Sequence, residues 1–365
     1  MTIPFLDVGA AYRELKPEID KAVARVMDSG WYIQGPEVEA FEDDFAKFCN
    51  VTHAIGVGNG LDALVLSLRA LGIGAGDEVI VPSNTYIATW LAVSQVGATI
   101  VPVEPEIALH TISAESCMKV MTSKTRAIIP VHLYGQPADL NPLLQLAREN
   151  GIFIIEDAAQ AHGAGYRSEV IGGFGDLTCW SFYPGKNLGA LGDGGAVTTR
   201  NPDLAKRVRL LSNYGSEKKY MHEVAGTNSR LDPVQAAVLR VKLRHLAGWN
   251  ERRRTIARRY LEGLQGLDLV LPEVPQWADP VWHLFVVRSK ERDALATRLT
   301  AKGVQSLIHY PLPPHLQGAY AALSYSEGDF PVAEQLAKEV LSLPMGPHLT
   351  EQQASQVIDA LRRAT

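Results

Sequence analysis

Seven apolar runs of strand length, at 52–58, 77–83, 98–104, 126–134, 152–157, 177–183 and 195–200, alternate with helix-type stretches over the first two thirds of the chain. Several of them, such as IFII (152–155), are apolar throughout, which is the pattern of strands covered on both faces. Amphipathic segments such as LDALVLSLRAL (61–71) and LNPLLQLAREN (140–150) lie between them and supply the cover. The alternation predicts a doubly wound α/β sheet. After Arg200 helical patterns dominate, above all the run 232–264, whose basic residues at helical spacing read as a solvated face. Short strands at 282–288 and around 306–311, with helices at 290–302 and 331–341, predict a smaller C-terminal α+β domain. The expected division is 1–245 and 246–365.

Charge and cysteine content exclude several classes. With 35 basic against 40 acidic residues and a net charge of −5, the chain has no general cationic field for nucleic acid. Asp7, Arg13 and Glu14 interrupt the N-terminus before a signal-like core forms, and no apolar run approaches the ~20 residues of a membrane span. A cytoplasmic protein without a membrane partner is expected. Cys49, Cys117 and Cys179 lack CxxC spacing and read as reduced and buried, and the histidines form no HxH or HExxH pair, so no metal site is expected.

Chemistry in an open α/β sheet gathers where the strands end. VGNGLDAL (57–64) runs from a strand through glycines into a helix, where free N–H groups can hold a phosphate or simply form a tight turn. The GxGxxG spacing of a dinucleotide site and the GK[ST] of a P-loop are both absent. EDAAQAHG (156–163) ends an apolar strand on two carboxylates. One of them, Asp157, could cap the next helix or bind a protonated ring nitrogen, with Gln160 close by on the same side. SNTYIAT (83–89) places Tyr86 at a third strand end, to stack on a flat ligand or to pack in the core. In SFYPGKNLGALGDGGAV (181–197), Lys186 sits among glycines and apolar residues, as a loop lysine reaching solvent or as a desolvated amine able to attack a carbonyl. Read singly, each motif has a plain structural account. Together, a phosphate cradle, a stacking ring, a buried carboxylate and a desolvated lysine describe a site for pyridoxal 5′-phosphate (PLP).

The motifs GNGLDAL, DEVIVPSNTYIAT, EDAAQAHGA, SFYPGKNLGALGDGGAV and GTNSRLDPVQAA occur in this order in the DegT/StrS-type sugar-nucleotide aminotransferases, which the chain resembles over nearly its full length. The resemblance implies the aspartate-aminotransferase (type I) fold, with a seven-stranded mostly parallel sheet. It implies that Lys186 binds the cofactor covalently, Asp157 pairs with the ring nitrogen, Gln160 contacts the ring hydroxyl and Tyr86 stacks on the ring. Gly60, Leu61 and Ser181 would hold the phosphate, and Asn228 would reach it from the partner chain of a homodimer with shared sites. Leu61 stands where many relatives carry a polar residue, so only its N–H can serve. VEPEIALHTIS (103–113) departs from the usual acidic pattern, which leaves that loop without an assigned role. SFYPGK, SEKKY and IHYP resemble the branch acting on C-3 of dTDP-linked keto-sugars, with L-glutamate as donor. Tyr183, His309 and Tyr310 would contact the sugar and Lys219 the diphosphate. A C-4 aminotransferase and a non-enzymatic PLP-binding regulator are the alternatives. The sugar dehydratases of the family carry His in place of the lysine and are set aside.

Overall fold

The computed structural model describes residues 2–364. All seven expected runs become strands: β1 (His53–Val57), β2 (Glu78–Pro82), β3 (Thr99–Val103), β4 (Thr125–Ile128), β5 (Phe153–Asp157), β6 (Leu177–Ser181) and β7 (Gly195–Thr199). They form one sheet in the order β1-β7-β6-β5-β4-β2-β3. Only β7 runs antiparallel to its neighbours. The expected strand at 126–134 stops at Ile128, because Pro130 has no N–H to give and a 3-10 turn follows at Leu133–Gly135.

The unbroken apolar runs are explained by cover on both faces. Val79 and Val81 of β2 pack into one cluster beneath α1 (Gly60–Ala70) and α2 (Ile87–Gln95), whereas Ile80 faces a second cluster with Leu143 and Ala147 of α3 (Leu140–Asn150). Ile155 and Ile154 of β5 divide in the same way. Strand side chains alternate between faces, so each strand here is apolar at odd and even positions alike.

The 31-residue helix α4 (Pro233–Gly263) links the sheet to the smaller C-terminal unit. That unit packs α5 (Arg292–Ala301), α6 (Pro331–Glu339) and α7 (Glu351–Arg362) around the antiparallel pair β8 (Phe285–Arg288) and β9 (Val340–Leu343). Two local expectations differ from the structure. The helix expected over 331–341 ends at Glu339, and Val340–Leu343 is the second strand; the run around 306–311 contributes a single bridge, Leu307 to Ser342. The expected division at 245/246 falls inside α4, and the N-terminal segment pairs with the smaller unit through Ile3 and Val304. All three cysteines are free and buried. Among the described residues no helix is long and apolar enough to cross a membrane, and no group of His, Cys, Asp or Glu could hold a metal.

Candidate active site

β1, β2, β5 and β6 end on the same edge of the sheet, and the loops that leave them line a cavity of about 1210 Å³. After β1 the chain turns through Gly58, Asn59 and Gly60 into α1. Asn59 caps the helix, its Oδ1 accepting from the Asp62 N–H at 2.9 Å, which is worth about 1 kcal/mol. The Gly60 and Leu61 N–H groups make no hydrogen bond among the described residues, as expected of first-turn donors. Ser181 closes in beside them: a Cβ on Gly60 would lie 2.6 Å from Ser181 Cβ. Two free N–H groups, a helix N-terminus and a hydroxyl thus form a cradle that suits a phosphate.

At the end of β5 the two carboxylates take opposite roles. Glu156 is fully buried and saturated, accepting from the Phe174 and Gly175 N–H groups, Thr178 Oγ1 and His132 Nε2. Burial pushes its carboxyl upward, but these bonds and His132 above all hold it below the usual carboxylate range. Asp157 faces the cavity with fewer partners, Ala159 N–H at 3.2 Å on Oδ1 and Thr89 Oγ1 at 3.0 Å on Oδ2. Burial raises its pKa, against the pull of those two bonds and of Lys186. A carboxylate so placed gains from a cation partner, which the protonated nitrogen of PLP would be.

Lys186 closes a turn, its N–H bonded to the Tyr183 carbonyl at 2.8 Å. Gly189 permits that turn, since a Cβ there would sit 2.4 Å from Pro184 O. The Lys186 amine is hydrogen-bonded to nothing among the described residues, and burial lowers its pKa to about 8, with Asp157 opposing. Next to it, Asn187 fixes the state of His283. The Asn187 Nδ2 must donate to the Val281 carbonyl at 3.0 Å, so its Oδ1 accepts, and the proton of His283 sits on Nδ1, 3.2 Å away. Burial and then the Lys186 charge hold His283 well below the usual imidazole pKa, so it is a neutral ring on the cavity wall.

Of the residues expected from sequence, Gly60, Leu61, Tyr86, Asp157, Gln160, Ser181, Tyr183, Lys186, His309 and Tyr310 all line this one cavity. Tyr86 is 54% exposed and its ring lies 5.3 Å from that of Tyr310. Gln160 donates to Tyr310 OH at 3.1 Å and accepts from the Tyr134 N–H at 2.6 Å. His309 is tied to Ser342 Oγ at 2.8 Å, and burial followed by the Lys186 charge lowers its pKa to about 4. Asn228 and Lys219 lie outside the cavity of their own chain, exposed, the latter with Nζ 5.2 Å from the Tyr220 ring centroid. Sequence reasoning missed Thr85, Thr89, Tyr134, Asn187 and His283. Only the position of Thr85 and Thr89, beside Tyr86 at a strand end, offered a signal. The donor set fits PLP: cradle for the phosphate, carboxylate for the ring nitrogen, unpaired amine for the aldehyde, exposed ring for the face.

A profile of the DegT/DnrJ/EryC1/StrS aminotransferase family matches residues 13–362. Among curated proteins, the erythromycin biosynthesis sensory transduction protein EryC1 of Saccharopolyspora erythraea is 58% identical, over 99% of both chains. The dTDP-3-amino-3,4,6-trideoxy-α-D-glucose transaminase of Streptomyces venezuelae is 57% identical, over 99% of this chain and 95% of the other. The dTDP-3-amino-3,6-dideoxy-α-D-galactopyranose transaminase of Aneurinibacillus thermoaerophilus is 50% identical over 99% of both. Among solved structures, S. venezuelae DesV in complex with a ketimine intermediate superposes with a TM-score of 0.98 at 57% identity, over 99% of this chain and 98% of that one.

Proposed function

We propose, from the premise that this chain belongs to the DegT/DnrJ/EryC1/StrS aminotransferase family and is a PLP-dependent aminotransferase of type I fold, that it aminates C-3 of a dTDP-linked 3-keto-6-deoxyhexose. The product is a dTDP-3-amino-3,6-dideoxyhexose, with L-glutamate as the amino donor. The observation that carries this reading is the convergence of Lys186, Asp157 and the Gly60–Ser181 cradle in one cavity. The names of the relatives, which place the amine at C-3 of a dTDP-sugar, favour that carbon over C-4.

When bound, PLP supplies a ring that accepts the negative charge developing at the donor's α-carbon. Asp157 would hold a proton on the ring nitrogen, its carboxylate aimed by Thr89 and the Ala159 N–H. Lys186 would hold the cofactor, and its amine when free would carry the proton, a task suited to an amine with a pKa near the operating pH. The Gly60 and Leu61 N–H groups and Ser181 would hold the phosphate, Gln160 would contact the ring hydroxyl and Tyr86 would cover the ring face. Tyr183, His309 and Tyr310 face the sugar, with the cofactor assigned to residues 1–245 and the far wall of the sugar site to 246–365.

We further infer a cytoplasmic homodimer in which Asn228 contacts the phosphate, and Lys219 the diphosphate, in the partner's site. Both are exposed and outside their own cavity, and apolar side chains around them and in the 30–37 loop are uncovered, including Trp31 at 58% and Tyr220 at 83%. Exposed large apolar side chains of this kind support an interface at these segments. The test is to supply 3-keto and 4-keto dTDP-sugars with glutamate and locate the new amine by NMR. Amination at C-4 alone overturns the C-3 assignment, and a Lys186→Ala protein with normal turnover overturns the mechanism.

A further inference from the structure

α6 begins without a cap of its own. Its N-cap position is Phe330, which has no side-chain acceptor. The missing acceptor comes from the sheet: Glu104, one residue past the end of β3, takes the Val332 N–H on Oε1 at 2.7 Å and the Ala333 N–H on Oε2 at 3.1 Å. The same Oε2 accepts Ser83 Oγ at 2.8 Å, and Ser83 is three residues before Tyr86. One half-buried carboxylate therefore joins the loop that carries the ring-facing tyrosine to the first turn of a helix in the C-terminal unit. A negative charge at that end also meets the positive end of the helix dipole.

The helix leads into the wall that faces the sugar. α6 runs directly into β9, whose Ser342 holds His309 Nδ1 at 2.8 Å and exchanges two backbone hydrogen bonds with Leu307. From the sheet side, Tyr134 OH donates to the His309 carbonyl and Gln160 Nε2 to Tyr310 OH. Tyr134 holds a left-handed backbone, φ 61°, uncommon for a non-glycine residue. The 309–310 segment is thus gripped directly by Tyr134 and Gln160, and from behind by β9, whose helix is anchored by Glu104.

We propose that Glu104 is a positioning residue for the keto-sugar: by capping α6 from the opposite unit it sets the distance of His309 and Tyr310 from the cofactor. This gives a role to the loop that departs from the family's acidic pattern, and it rests on the assignment of His309 and Tyr310 to the sugar. Glu104 does not line the cavity, so its loss acts through the 309–310 segment on the acceptor half of the reaction.

The experiment compares holoenzymes of wild type, Glu104→Ala, Glu104→Gln and Ser83→Ala. For Glu104→Ala we expect KM for the keto-sugar to rise about tenfold, the scale of one lost cap interaction. The rate of the half-reaction with glutamate should stay within about twofold, because Lys186 and Asp157 are held independently of Glu104 and the Tyr86 loop keeps the bond from the Ser83 N–H to the Val103 carbonyl at 2.9 Å. Hydrogen exchange at the Val332 and Ala333 amides should speed up. Glu104→Gln, which keeps an acceptor, should recover part of the KM, and Ser83→Ala should show a smaller effect of the same kind should Glu104→Ala fail to fold. Faster exchange with unchanged acceptor KM would reduce Glu104 to a helix cap and overturn the proposal, as would an equal loss in both half-reactions. A wild-type enzyme that aminates no nucleotide-linked keto-sugar would instead overturn the functional reading, while the exchange data would still report on the cap.

Discussion

Thr89 Oγ1 donates to Oδ2 of Asp157 at 3.0 Å, while Thr85 Oγ1 lies 2.9 Å from the same hydroxyl. All three side chains are buried, so the carboxylate is aimed by a hydroxyl that is itself fixed. Thr89→Val keeps the shape and removes the bond, leaving Asp157 the Ala159 N–H alone among the described residues. Loss of one hydrogen bond to a charged group, about 1.5–3 kcal/mol, predicts a kcat lower by about ten- to a hundredfold. Steady-state kinetics and the cofactor absorbance of the variant check this; an unchanged kcat would mean that the backbone alone orients Asp157.

A second prediction follows from the buried amine of Lys186. Burial lowers its folded-state pKa to about 8, below the ordinary lysine value of 10.5, so the folded apoprotein carries an unfavourable buried charge below about pH 8. That cost is relieved as pH rises from about 8 to 10.5, where the unfolded chain binds more protons than the folded one. Denaturation of the apoprotein should therefore show stability rising over that window relative to Lys186→Met. The rate of reconstitution with PLP should rise through about pH 8. A midpoint near 10.5 would place the amine in solvent.

Gly60 is the position where the cradle tolerates no side chain. A Cβ there would come within 2.6 Å of Ser181 Cβ, a distance that neither backbone can keep. Gly60→Ala should push the start of α1 away from Ser181 and weaken PLP binding by about ten- to a hundredfold, while circular dichroism remains that of the wild type. Titration of the apoprotein with PLP gives the affinity directly.

The proposed sharing of sites between the chains of a dimer predicts complementation. A Lys186→Ala chain and an Asn228→Ala chain should each be impaired alone. Mixed dimers should recover part of the activity, because one of their two sites holds both native residues. Heterodimers isolated with distinct affinity tags and found no better than the parents would rule out sharing through Asn228.

Glu156 and Asp157 show how the sequence and the tertiary structure divide the determination of this protein. The apolar alternation fixed seven strands, helices on both faces and the strand-end placement of Gly60, Tyr86, Asp157 and Lys186, because strand and helix periods and glycine turns are local properties of the chain. Nothing local distinguishes two adjacent carboxylates. Their roles were decided by partners distant along the chain: His132 and Thr178 saturate the one, while Thr89 aims the other into the cavity. The same holds for Val340–Leu343, a run whose pattern also suits a helix and which became a strand by pairing with Phe285–Arg288. It holds too for His283, whose proton is placed by Asn187, and for Glu104, which caps a helix that starts more than two hundred residues later. Local periodicity sets which elements form, whereas the state of a buried polar group depends on which long-range partners the packed chain brings within hydrogen-bond reach, and that only the fold supplies.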